Sequence, residues 1–191
     1  MKFTYKGITF EVWDDVYMPQ EDSLMIVDSL EKLEISPKTK ILEIGTGCGI
    51  ISVFASRFSE KIIATDINPR AIYCAKINAK NKVKFLVGDL FDPIKGKFDL
   101  IIFNPPYLPS GTCDHVSWTG GNKGREMIDR FIMESPEHLK KGGKILFVHS
   151  SLNKFDATFR MLKENGFEWE ILNEKGFFFE KLQVILARGG I

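Results

Sequence analysis

The chain alternates short apolar runs with stretches in which apolar residues recur every three or four positions. The opening KFTYKGITFEV alternates apolar and polar residues about Lys6-Gly7, which predicts a hairpin. In the segment DDVYMPQEDSLMIVDSLEKLE, Ile26, Val27, Leu30 and Leu33 fall on one helical face. After Pro37 the pattern turns to strand, helix, strand. KILEIG reads as a short buried strand, GIISVFASRF as a helix with Ile50, Ile51, Phe54, Ala55 and Phe58 inward, and KIIATDI as a second strand. Asn68 is placed as N-cap and Pro69 as first helical residue of INPRAIYCAKINAK. VKFLVGDL and FDLIIFN read as two further strands. The helix REMIDRFIME is expected to break at Ser135-Pro136 and restart as a short turn ending at Gly142-Gly143, with Lys140-Lys141 as its solvated end. The strand KILFVHS, the helix NKFDATFRMLKEN closed by Gly166, and the pair FEWEILN and FFFEKLQVILAR complete the chain.

Strands alternating with helices imply a parallel sheet covered on both faces. The last two strands are separated by only a few residues around Lys175-Gly176, too few for a crossover, so they must pair antiparallel. The expected fold class is α/β: a doubly wound, mostly parallel sheet with one antiparallel strand near the C-terminus, preceded by an N-terminal hairpin and helix. Phe177-Phe178-Phe179 is expected to lie partly in the core and partly at the sheet edge.

Composition narrows this picture. At 191 residues and 44% apolar, the chain is long enough for one domain with a real core, residues 1–36 forming an extension and 37–191 the main body. Lys and Arg number 26 against 25 Asp and Glu, so no global positive charge supplies non-specific nucleic-acid affinity. The three cysteines, Cys48, Cys74 and Cys113, are widely spaced without a CxxC pair, which argues against a disulfide framework or a zinc knuckle. His115, His138 and His149 are scattered, and no metal site is expected. Nothing resembles a leader or a membrane span, so a cytoplasmic protein is expected.

In open α/β sheets ligands sit outside the carboxyl ends of the strands. Four such ends are polar or glycine-rich: Glu43-Ile44-Gly45-Thr46-Gly47-Cys48-Gly49, Asp66, Gly88-Asp89, and Asn104-Pro105-Pro106-Tyr107. The glycines, Gly45 and Gly47 among them, would let backbone approach a ligand at a helix N-terminus, where free N–H groups favour a carboxylate or phosphate. The plainer reading is a tight turn. Asp66, about 20 residues beyond Gly45, suits ribose hydroxyls, or it caps the turn before Asn68. Asp89 could accept from an adenine amino group or cap the Gly88 turn. A dinucleotide fingerprint would need a third glycine where Ile50 stands. A mononucleoside carrying a carboxylate fits better, and S-adenosylmethionine has that shape.

The NPPY ending suggests a reaction. A planar nitrogen, in a glutamine amide or an adenine amine, is a poor nucleophile because its lone pair is delocalised. The Asn104 side-chain oxygen and the Pro105 carbonyl could accept its two N–H bonds and turn the lone pair toward an incoming methyl. Such positioning can contribute roughly 7–11 kcal/mol in well-oriented systems. Prolines fix the backbone, and Tyr107 offers a face for stacking. A Pro-Pro turn with Asn104 in an Asx-turn is the plainer alternative. The sulfonium leaves readily as S-adenosylhomocysteine, so the chemistry requires no metal.

Together DVYMPQEDS, LEIGTGCG, FNPPY and SWTGGNKGREMIDRF make the chain resemble the class I, Rossmann-like methyltransferases with an NPPY motif, of the HemK type that methylate release-factor glutamine, in their short archaeal and eukaryotic branch. The resemblance implies that Ser23, Glu43, Gly45, Asp66, Asp89, Leu90 and Asn104 hold the cofactor, and that Asn104 to Tyr107 hold the substrate glutamine. Gly124 and Arg125 would border the substrate. Bacterial relatives carry an N-terminal helical domain that this sequence does not show, and eukaryotic ones pair with a small zinc-binding activator. The expected function is therefore methylation of the glutamine in the Gly-Gly-Gln segment of a class I release factor, in translation termination. The alternative is an amino-methyltransferase acting on RNA or DNA bases, which the near-neutral charge disfavours.

Overall fold

The computed structural model describes residues 1–107 and 125–189, and Cys113, His115 and Gly124 therefore lie outside the described residues. The chain packs as two compact units, Met1–Ile94 and Lys95–Ile191.

The first unit opens with the hairpin β1 (Lys2–Tyr5) and β2 (Ile8–Glu11), paired antiparallel. Its turn is Lys6-Gly7 as expected, both residues at positive φ. Helix α1 (Glu21–Leu30) buries Met25, Ile26, Val27 and Leu30. Leu33, read onto the same face, lies beyond the helix end. Three parallel strands follow, β3 (Lys40–Ile44), β4 (Lys61–Asp66) and β5 (Lys84–Val87), in the order β5-β4-β3. Between them run α2 (Ile50–Ala55) and α3 (Pro69–Ala79). Only six residues of α2 are helical, so Phe58 falls outside it. Helix α3 starts as its sequence dictates, with Asn68 as N-cap accepting from the Arg70 N–H at 2.9 Å and Pro69 at the first position. Asn78 on α3 then ties the hairpin down: its amide oxygen accepts from the Glu11 N–H and its NH₂ donates to the Glu11 and Cys48 carbonyls, each at 2.8 Å.

The second unit contains β6 (Phe98–Phe103), α4 (Glu126–His138), β7 (Leu139–Ser150), α5 (Phe155–Glu164), β8 (Phe167–Gly176) and β9 (Lys181–Gly189). Its strand order is β6-β7-β9-β8. β6 and β7 are parallel, whereas β9 runs antiparallel to both β7 and β8, the reversed strand expected from the short final connection. Phe103, Phe131 and Phe147 are fully buried and in ring contact, Phe103 to Phe131 at 4.9 Å and Phe131 to Phe147 at 5.9 Å. Each such side chain contributes about 1.5–3 kcal/mol of burial. The whole is the Rossmann-like, mostly parallel α/β fold that the sequence pattern implies.

Three expectations need correction. Helix α4 runs through Pro136 without a break. Pro136 stands two residues before the helix end; its missing N–H removes one hydrogen bond and its ring crowds the preceding turn, and the helix stops at His138. Gly142-Gly143 does not close a helical turn but lies within β7, where the ladder to β6 shifts register and Gly142 takes φ +71°. Lys140 consequently sits in that strand and pairs with Asp99 at 2.7 Å. Finally, Phe178 and Phe179 are 92% and 85% exposed, at the tip joining β8 to β9, and belong to neither core nor sheet edge. The turn falls at Phe177–Glu180, where the Phe177 N–H donates to the Glu180 carbonyl at 2.6 Å, rather than at Lys175-Gly176.

Candidate functional site

In the first unit the polar strand endings are bound to one another. Glu43 occupies the fourth position of β3 and is 1% exposed. Its Oε2 accepts from Thr46 Oγ1 at 2.8 Å and from the Ser52 hydroxyl, while Oε1 is buried without a partner among the described residues. Burial pushes the Glu43 carboxyl up to about 7, against the pull of the Ser52 and Thr46 hydroxyls. A buried carboxylate oxygen with nothing to accept is costly unless a donor arrives.

The loop after β3 is held from β4. Asp66 Oδ2 accepts from the Gly47 N–H at 2.9 Å and Oδ1 from the Asn68 N–H at 2.9 Å. Burial raises the Asp66 carboxyl, and these two backbone donors oppose the shift. Asp66 thus does cap the turn before Asn68, while also anchoring the glycine loop. Gly45, Gly47 and Gly49 adopt φ of +66°, +54° and +85°, conformations that L side chains rarely enter. A Cβ on Gly49 would lie 2.9 Å from the Ala75 Cβ, whereas one on Gly47 would meet nothing within 4 Å. The glycines therefore serve two ends, close packing on α3 at Gly49 and open approach at Gly47. Three of the loop amides are used within the fold. Thr46 N–H donates to the Thr65 carbonyl at 2.9 Å, Gly47 N–H to Asp66, and Gly49 N–H to the Thr46 carbonyl at 2.8 Å.

Ser23 is 3% exposed in the first turn of α1, with its N–H donating to Asp22 Oδ1 at 2.5 Å and its hydroxyl at 3.2 Å. Asp22, 2% exposed, takes the Tyr17 hydroxyl on its other oxygen at 2.8 Å. The sequence reading passed over Asp22, although a carboxylate beside Ser23 in PQEDS was the available signal. Asp89 is half-buried and its carbonyl accepts from the Asp92 N–H at 2.9 Å. Leu90 is buried at φ +41°, and its carbonyl accepts from Thr65 Oγ1 at 3.4 Å. A leucine held in the left-handed region is strained and needs its surroundings to keep it there.

In the second unit, Asn104 to Tyr107 follow β6 without regular secondary structure, Pro105 buried and the other three half-buried. The Tyr107 carbonyl accepts from Asn153 Nδ2 at 2.9 Å. Asn153 is 1% exposed and ends the 3₁₀ turn Ser151–Asn153 after β7. Arg125, at the start of α4, donates to the Asn153 carbonyl, to Thr158 Oγ1 at 2.9 Å and to Asp129 Oδ1 at 2.6 Å. Its side chain is only 14% exposed. Asn153 was absent from the sequence reading, which stopped at the fourth strand ending. The next ending, HSSLN, carried the signal.

Comparison with known proteins bears on both halves. The family model described as methyltransferase small domain matches residues 21–179. A Methanocaldococcus jannaschii protein named as a candidate protein N5-glutamine methyltransferase is 42% identical over 95% of this chain and 96% of its own. Human methyltransferase HEMK2 is 34% identical over 82% of this chain and 81% of its own. Among solved structures, the Mtq2–Trm112 complex of E. cuniculi, described as responsible for methylation of the eRF1 translation termination factor, superposes with a TM-score of 0.77. It is 27% identical over 92% of this chain and 99% of that one.

Proposed function

The chain belongs to the methyltransferase small domain family, and we propose that it is an S-adenosylmethionine-dependent methyltransferase acting on the side-chain amide of the glutamine in the Gly-Gly-Gln segment of a class I release factor. A relative similar over nearly its whole length carries an N5-glutamine methyltransferase name, and a solved relative acts on a termination factor. The observation that carries the mechanism is the Asn104-Pro105-Pro106-Tyr107 ending of β6, its last carbonyl held at 2.9 Å by a buried asparagine.

The residues of the first unit fit the cofactor. Glu43 Oε1 is a buried acceptor awaiting a donor, and the Gly47 Cβ direction is open, so a ligand bearing an ammonium group can satisfy the first and pass the second. We assign Glu43, Asp66 and Asp89 to its polar groups, and Ser23, Gly45, Gly47 and Leu90 to its surroundings. S-adenosylmethionine, when bound, supplies the electrophilic methyl group and leaves as S-adenosylhomocysteine. The residues of the second unit hold the nucleophile. The Asn104 side-chain oxygen and the Pro105 carbonyl accept the two amide N–H bonds of the glutamine, which keeps its lone pair directed at the methyl. The Tyr107 ring stacks on the amide plane. Prolines 105 and 106 keep the accepting carbonyl in place without reorganisation, which is where the rate enhancement arises.

The solved Mtq2 relative is bound to Trm112. A small activator subunit of that kind is the partner proposed for this chain.

The test is transfer of labelled methyl from S-adenosylmethionine to purified release factor, with a Gly-Gly-Ala variant, bulk tRNA and DNA as parallel substrates. Label on the wild-type release factor alone is expected. Label on nucleic acid would instead establish the base-directed alternative.

A further inference from the structure

The Asn104–Tyr107 segment contains two adjacent residues without an N–H, so it can be fastened only through its carbonyls and its end residues. The Tyr107 carbonyl is fastened by a side chain 46 positions away in sequence, at the carboxyl end of β7. We infer that Asn153 is a positioning residue for this segment, and that Arg125 acts through it: the Asn153 amide holds the Tyr107 carbonyl, and the Arg125 guanidinium holds the Asn153 backbone.

The turn that carries Asn153 is built to stay still. Ser150 Oγ accepts from the Leu152 N–H at 3.1 Å, and Ser151 Oγ accepts from the Lys181 N–H at 3.0 Å, which ties the turn to the first residue of β9. The next residue, Lys154, is held at φ +60° and ψ +92°, outside the ordinary regions for a lysine. Arg125 closes the arrangement from the other side. Its Nη1 donates to the Asn153 carbonyl and to Thr158 Oγ1 on α5, and its Nη2 is fixed by Asp129 one turn along α4. A guanidinium bound to a carbonyl, a hydroxyl and a carboxylate at 14% side-chain exposure serves the fold rather than an incoming substrate. The reading of Arg125 as a substrate contact is therefore replaced by a role one step removed. The Asn153 donor is an NH₂ group, so the carboxylate of an isosteric aspartate cannot replace it and would face the Tyr107 carbonyl with a like partial charge.

The catalytic part of this inference rests on the proposed methyl transfer, and two readouts separate them. Asn153→Asp and Arg125→Lys would be compared with wild type in steady-state methylation of release factor, in calorimetric binding of S-adenosylmethionine, and in hydrogen exchange at the Tyr107 amide. For Asn153→Asp, kcat is expected to fall about tenfold or more while cofactor affinity stays within about twofold, since misplacing a positioned group costs rate rather than cofactor binding. Tyr107 exchange should accelerate, with the β3 and α3 amides of the first unit unchanged. Arg125→Lys should move both readouts the same way by less, and decides the matter alone if the aspartate variant does not fold. Wild-type exchange at Tyr107, or accelerated exchange with wild-type kcat, would overturn the inference. So would a parallel loss of kcat and cofactor affinity, the mark of a merely structural role. Were wild type itself to methylate nothing, the proposed function would fail, and the exchange result would still decide whether Asn153 positions the segment.

Discussion

In Met1–Ile94 the carboxylates at the strand endings are held by residues two to nineteen positions away along the chain. Glu43 is held by Thr46 and Ser52, and Asp66 by Gly47 and Asn68. In Lys95–Ile191 the corresponding ending is held at a distance: Tyr107 by Asn153, and Asn153 by Arg125. The first arrangement packs acceptors into a tight loop and leaves one of them, Glu43 Oε1, without a donor among the described residues. The second satisfies the carbonyl at the end of the motif with a dedicated donor. A site that receives a cofactor needs acceptors for its polar groups, whereas a site that holds a reacting group needs a rigid frame. The first unit should therefore report on binding and the second on rate.

Asn104→Ala puts the largest strain on that division. Removing one of two acceptors for the glutamine amide should lower kcat by about 10²–10³, the usual cost of losing one preorganised polar partner. Cofactor affinity, measured by calorimetry, should change by no more than about threefold, or about 0.7 kcal/mol by the tenfold-per-1.4 rule. Equal losses in both would mean that Asn104 serves the cofactor and that the division between the units is wrong.

Asp66→Asn comes next and works in the opposite direction. One Asp66 oxygen becomes an NH₂ facing a backbone N–H, either that of Gly47 or that of Asn68. The expected cost is about 1–3 kcal/mol of stability. Cofactor binding should weaken more than kcat falls at saturating cofactor. Thermal unfolding and a saturation curve check the two parts.

How much of this was readable beforehand follows from the same contrast. The hairpin at Lys6-Gly7, the Asn68-Pro69 helix start and the reversed last strand all depend on local patterns, and each is found where the sequence puts it. Asp66 was legible because a strand ending in Asp two residues before an Asn-Pro helix start has few local solutions. Pro136 predicts a break, whereas the helix carries it in its last turn and ends two residues later. Asn153 was legible as a polar residue at a further strand ending, HSSLN, but its partner was not, since nothing local announces a bond to a carbonyl 46 residues earlier. The aromatic run Phe177–Phe179 misled for the converse reason: its apolar character predicts burial, and a four-residue turn leaves two of its rings outside.

The pH dependence of stability sets one unit against the other. The Glu43 carboxyl, pushed up to about 7 by burial, keeps its proton in the folded chain between roughly pH 4.5 and 7 while the unfolded chain has lost it, so its contribution declines as pH rises through that window. His149 in the second unit behaves oppositely. Its ring is buried against Phe155 at 4.4 Å, its Nε2–H donates to Gln183 Oε1 at 3.1 Å, and burial pushes it down to about 4. The unfolded chain binds this proton below about 6.5, so stability is lost as pH falls toward 4. The two slopes oppose each other, and the wild-type profile should be shallow. Glu43→Gln removes one of them, and chemical denaturation of that variant should show stability falling steadily on acidification from pH 6.5 to 4. A profile as shallow as wild type would mean that Glu43 titrates normally and that the first unit holds no strained carboxyl.

The smallest effect is expected at the aromatic tip. Phe178 and Phe179 touch each other edge to face at 4.5 Å and are otherwise in solvent, in contrast to Phe159, which stacks on Trp169 at 5.4 Å with the ring planes nearly parallel. Replacing both tip residues with serine should change stability by less than about 0.5 kcal/mol, as for surface positions without partners. At this chain length that is a shift of no more than about 2 °C in Tm. The same variant should methylate release factor at the wild-type rate. A fall of several degrees would place the tip among the groups that hold the second unit together, so that its long-range anchoring would extend beyond the Arg125, Asn153 and Tyr107 chain.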